Sequence, residues 1–170
     1  MAPFCRSVGS KADWFHGDAL TEEQRRESRG CFLLANGETG LSLWRANTPA
    51  EVNLALAAMM FARARTMAWK CEFKTFELLC LPPEEIERFG PIAAKPLTVP
   101  DVIPANPLHH ELEWPQATLD LLADHAASTL HLAPVSYGRP VVKAAVRALS
   151  ANDVAADARP WLAKMKGAAA

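Results

Sequence analysis

The alternation of apolar and polar positions is clearest over residues 48–69. Val52, Leu56, Met59, Met60 and Met67 recur at helical spacing, while Leu54, Ala58 and Phe61 thicken the apolar face. Thr48 and Glu51 have the spacing of a capping box, and Pro49 occupies the first helical position, where its missing N–H costs nothing. Arg63 and Arg65 fall near the C-terminal end, where cations complement the helix dipole. A helix this apolar must be covered on most sides, and the rest of the chain is expected to wrap it.

The remaining pattern is less regular. Residues 1–20 show no clear period, with Trp14 and Phe15 placed to pin the segment onto the body. Thr21 to Gln24 spell a second capping box, so a short polar helix should run to about Arg29 and end at Gly30. Residues 31–35 and 40–44 are apolar and flank Asn36-Gly37, the dipeptide that favours a β-hairpin. Residues 70–81 read as a strand: Cys71 and Phe73 alternate with Lys70, Glu72 and Lys74. The phase then slips, and Phe76, Leu78 and Cys80 continue, through a β-bulge or through burial on both faces. Pro82-Pro83 stops the strand, and 84–89 makes a turn or two of helix. Pro91, Pro96, Pro100, Pro104 and Pro107 impose a long irregular connection over 91–107. Residues 109–114 alternate again, with His110, Leu112 and Trp114 on one face and His109, Glu111 and Glu113 on the other. Helices follow over 115–130 and 140–149, and 153–166 forms short pieces docked by Trp161 and Met165. The fold expected is a single α+β domain spanning 1–170. A small, mostly antiparallel sheet from 31–45, 70–81 and 109–114 packs on the 49–69 helix, and the C-terminal helices close the other side.

Composition narrows the function classes. Across 170 residues half are hydrophobic, and the net charge of −1 comes with acids and bases interspersed, so no basic stripe suggests nucleic acid. The longest apolar run, 54–62, is too short for a bilayer, and the N-terminus lacks the apolar core of a signal peptide; a cytoplasmic protein is expected. Cys5, Cys31, Cys71 and Cys80 contain no C-x-x-C pair. They read as small buried hydrophobes in a reducing compartment, with Cys5 the most exposed. Five tryptophans, at 14, 44, 69, 114 and 161, serve first as core anchors and second as contacts on a partner surface.

The densest set of possible ligands is His109, His110, Glu111 and Glu113, but residues two apart on a strand make a wide, shallow set, and no metal is expected there. A solvated strand face is the simpler reading, with His110 a hydrogen-bonded core histidine beside Trp114. Asp124 cannot orient His125 as a triad would require, because helix neighbours do not face one another, and His131 lies near the same helix. Ser42 and Ser128 lack G-x-S-x-G, and no phosphate-binding glycine loop is present.

Two segments resemble a pattern in small bacterial proteins that carry no established activity. One is Ser28-Arg-Gly-Cys-Phe32-Leu-Leu followed by Gly37-Glu38-Thr-Gly-Leu41-Ser42-Leu43-Trp44. The other is Asn106-Pro107-Leu-His109-His-Glu111 leading into Trp114-Pro115. The resemblance implies a bacterial cytosolic protein and makes Ser42 and His109 positions of interest. The order Phe15-His16-Gly17, Leu41-Ser42-Leu43, then Glu111 or Glu113 also resembles that of ADP-ribosyltransferases. That likeness implies an NAD site in which His16 and Ser42 hold the ribose and nicotinamide while the glutamate stabilises oxocarbenium charge. The leading expectation is an accessory or regulatory protein without a cofactor. It would bind another protein through residues 91–107 and exposed aromatics. The alternative is an NAD-using enzyme with a pocket lined by His16, Ser42, His109 and Glu111.

Overall fold

The Thr48 capping box starts a helix as the sequence dictates. Thr48 Oγ1 accepts from the Glu51 amide at 3.2 Å, and the Glu51 carboxylate accepts from the amides of Thr48 and Asn47. Those bonds hold the Glu51 carboxyl below its ordinary range. The fold is that of a computed structural model, which describes residues 2–8, 20–34, 39–130, 132 and 134–167. Helix α2 runs Pro49–Thr66 and buries Leu56, Met60, Phe61 and Ala64. It leaves through two consecutive left-handed residues, Ala68 and Trp69, neither of them glycine. The Trp69 amide donating to the Ala64 carbonyl at 2.6 Å ties that strained exit down.

One six-stranded antiparallel sheet, in the order β4-β5-β2-β1-β3-β6, divides the domain. Its strands are β1 (Phe4–Ser7), β2 (Leu41–Arg45), β3 (Phe76–Leu81), β4 (Ala93–Ala94), β5 (His109–Leu112) and β6 (Val135–Tyr137). Strand alternation sorts residues between two cores. Cys5, Trp44, Phe76 and Leu78 face α2, together with α5 (Arg139–Ala148) and α6 (Arg159–Lys166). Phe4, Leu41, Leu43, Leu79, Leu81 and Leu112 face the other way, onto α3 (Pro83–Glu87) and α4 (Gln116–Ser128). Helix α1 (Glu22–Gly30) packs on α4, where Arg29 makes a two-pronged ion pair with Asp124. The α+β class and the buried central helix hold. Of the C-terminal helices, α4 covers the far face, whereas α5 and α6 stay on the side of α2. Among the described residues no helix is long and apolar enough to cross a membrane.

Three expectations are corrected. The N-terminal segment contributes β1, between β2 and β3 near the middle of the sheet, and this buries Cys5 rather than exposing it. Strand β2 pairs with β1 on one side and β5 on the other, so no edge remains for a hairpin with 31–35; Asn36-Gly37 itself lies outside the described residues. Residues 70–75 are not strand: after the left-handed exit from α2 they cross the end of the core, with Phe73 against Trp161 at a ring separation of 6.1 Å. The slip at Thr75 is therefore where a crossing segment becomes a strand, and not a bulge.

Candidate functional site

Ser42, His109 and Glu111 come together on adjacent strands. Ser42 and Glu111 are directly opposed in the β2–β5 register, as are Trp44 and His109, and residues two apart on a strand share a face. His16 lies outside the described residues. Glu111 lies over the end of β2 because position 40 is glycine: a Cβ there would sit 2.8 Å from Glu111 Oε2. Lys95 bridges Glu111, at 2.8 Å, and Glu113, and the two carboxylates hold its ammonium above its ordinary pKa.

His109 is not on a solvated face. It is buried edge-on against Trp44, with ring centroids 5.0 Å apart, and its Nδ1 lies 2.7 Å from the Lys95 carbonyl. A carbonyl only accepts, so the proton is on Nδ1. His110 keeps its expected place on the opposite face, edge-on to Phe4, with Nδ1–H donating to the Leu108 carbonyl. It also lines a cavity of about 380 Å³ with Arg45, Asn47 and Glu51, which sequence reasoning missed. Ser42, His109 and Glu111 line neither that cavity nor four others formed by the described residues. As it stands, the cluster is a glutamate locked by a lysine beside a serine and a histidine fixed by packing. No three or more His, Cys, Asp or Glu side chains among the described residues cluster as a metal would require. His125 takes Glu85 as its partner at 2.8 Å, while Asp124 serves Arg29.

A second pair was hidden in the sequence. Cys5 and Cys80 face each other across β1 and β3 with Sγ atoms 3.0 Å apart. The Val8 amide donates to the Glu77 carbonyl, and bonded and non-bonded pairs alternate along an antiparallel ladder. Cys5/Cys80 is therefore a non-bonded pair, whose Cα atoms approach to about 4.5 Å. Cys80 is the less buried and the more acidic thiol, because Cys5 hydrogen-bonds to it; the same contact, with burial, pushes Cys5 up. Diamide, which takes one hydrogen from each thiol, is expected to join this pair within the monomer. Intact mass and peptide mapping should show a 5–80 cross-link that Cys5→Ser or Cys80→Ser abolishes. Free alkylation of both cysteines after diamide would refute it.

The proline-rich segment has the opposite character to the strand cluster. Leu97, Val99 and Ile103 are exposed, Val99 at 72%, yet the backbone that carries them is tied at several points. Asn106 bonds both the amide and the carbonyl of Leu97. Arg65 holds Asp101 and Asp157, the Asp101 carbonyl accepts from the Ala155 amide, and Val102 is buried in a bridge to Val154. Among the described residues no Phe, Trp or Tyr is among the exposed hydrophobics, and Trp44, Trp114 and Trp161 are buried; Trp14 and Phe15 lie outside the described residues. Comparison of the chain with protein-family models, with curated proteins and with solved structures finds no match.

Proposed function

We propose that this chain is a small bacterial cytosolic accessory protein that acts by binding another protein through residues 97–103. The observation that carries the reading is the exposure of Leu97, Val99 and Ile103 within seven residues of a pinned backbone. Apolar side chains left in water are ordinary when scattered, but a fixed group of them on an irregular segment suits an interface. Because Asn106, Arg65 and Val102 already hold the segment, little ordering entropy remains to be lost on docking. The strand cluster supports catalysis less well, since Glu111 is engaged by Lys95 and His109 is enclosed.

The test is a photo-reactive residue at position 99 in cells of the native host. A discrete adduct with a second protein is expected, and Leu97→Asp with Ile103→Asp should abolish it. These are surface changes, so the variant should keep its stability within about 0.5 kcal/mol. Absence of any adduct, an adduct only with a second copy of the chain, or an adduct indifferent to both substitutions would overturn the reading.

A further inference from the structure

Helix α5 opens with Arg139 and Lys143 one turn apart, an arrangement in which like charges repel along a helix face. Folding adds to that repulsion, because α6 packs on α5 and brings Lys164 to the same groove. The groove measures about 620 Å³, and its apolar walls come from Phe73, Pro140 and Met165. Among the described residues Glu72 is the only acid that lines it, and none of its three cations makes an ion pair with a described residue. At the Cys71 end Arg63 acts on both Cys71 and Lys74, which adds two more cations to the same neighbourhood, with Glu72 as the one acid beside them.

Elsewhere among the described residues five cations are paired with acids. Arg25 and Arg29 share Asp124, Arg65 takes Asp101 and Asp157, Arg88 takes Glu85, and Lys95 takes Glu111 and Glu113. As in the groove, Arg26, Arg45, Lys70 and Arg159 make no ion pair with a described residue; what the groove adds is three such cations set together on apolar walls. A groove of this size lies in the range that holds small ligands, and its walls ask for an apolar body. Its rim asks for a negative end, which would relieve the repulsion among the cations.

We propose that the groove between residues 71–73, α5 and α6 binds a small amphipathic anion. The ligand would be an aryl or acyl body lying on Phe73, Pro140 and Met165, with its carboxylate, sulfonate or phosphate held by Arg139, Lys143 and Lys164. This site is separate from residues 97–103 and does not depend on the protein-binding proposal.

The test uses 8-anilinonaphthalene-1-sulfonate, an aromatic anion whose fluorescence rises in an apolar site, titrated into the full chain. Saturable binding at one site is expected, displaced by decanoate and by decyl phosphate but not by decanol or by inorganic phosphate. The two displacing compounds separate a preference for carboxylate from one for phosphate. Lys143→Glu with Lys164→Glu should weaken binding roughly tenfold or more, which corresponds to about one strong charge contact. Phe73→Ser should weaken it as well, whereas Leu121→Asp, at an exposed leucine on α4, should leave it unchanged. If the double reversal impairs folding, Lys143→Gln supplies the same comparison with a smaller loss. Binding that survives the charge changes, or displacement by decanol as readily as by decanoate, would overturn the proposal.

Discussion

Replacing Phe61 by alanine is expected to destabilise the domain by about 3–5 kcal/mol, the usual loss for a fully enclosed phenylalanine. Phe61 is completely buried in the middle of α2 and sits edge-on to Trp161 at 4.9 Å and to Trp69 at 6.4 Å. Truncation therefore removes transfer energy, two aromatic contacts and the wall that positions α6. The lower half of the range is favoured for a specific reason. Trp161 Nε1 is buried with no acceptor among the described residues, and a water entering the new cavity could satisfy it. Against a typical total stability of about 5–15 kcal/mol, even the lower figure is a large fraction. Thermal unfolding should move down by about 6–20 °C, while Asn53→Ala on the exposed side of the same helix should barely move it. A loss below about 1 kcal/mol in denaturant titration would mean that α2 is not enclosed on both flanks.

That prediction rests on the part of the fold most legible in the chain. The capping box, Pro49 and the apolar spacing located α2 because all three signals are local. The opposite holds for β1. Four residues, Phe-Cys-Arg-Ser, give too short an alternation to stand out, and Arg6 in a central strand argues against the assignment. Arg6 is tolerated because its Nε–H donates to the Cys31 carbonyl and an Nη1–H to the Ser42 carbonyl, partners that only folding supplies. Residues 70–75 misled for a related reason. Their alternation is genuine, but it serves a segment with Phe73 against α6 and the groove, not a pleated ladder.

The candidate sites divide along the same line. The β5 faces were readable because period two settles them, so His110 and Leu112 lie opposite His109 and Glu111 as expected. Which face would be enclosed was not readable, because Trp44 reaches His109 only through the β2–β5 register. The thiol pair depends on β1, and the cationic groove depends on bringing Lys164 to Arg139 and Lys143. Both are long-range facts without a local signature.

Gly90→Ala is expected to cost about 1–3 kcal/mol, although alanine normally improves on glycine outside special backbone conformations. The cause is space. A Cβ at position 90 would lie 2.9 Å from both Cε2 and Nε1 of Trp114 and 3.1 Å from Cζ2. The far end of a lysine could swing aside from such a contact, but a buried indole moves as a plate. Trp114 is packed into the second core and its Nε1–H donates to the Pro91 carbonyl at 3.0 Å, so displacement also weakens a hydrogen bond worth about 1 kcal/mol. The entropic benefit of alanine in the unfolded chain, about 0.4–1 kcal/mol, offsets only part of this. Combining Gly90→Ala with Trp114→Phe separates the causes. The smaller ring gives the methyl room and has no N–H to lose, so the alanine should cost markedly less when Trp114→Phe is already present than in the native chain. Equal costs in both backgrounds, measured by urea unfolding, would show that the indole does not set the demand for glycine at position 90.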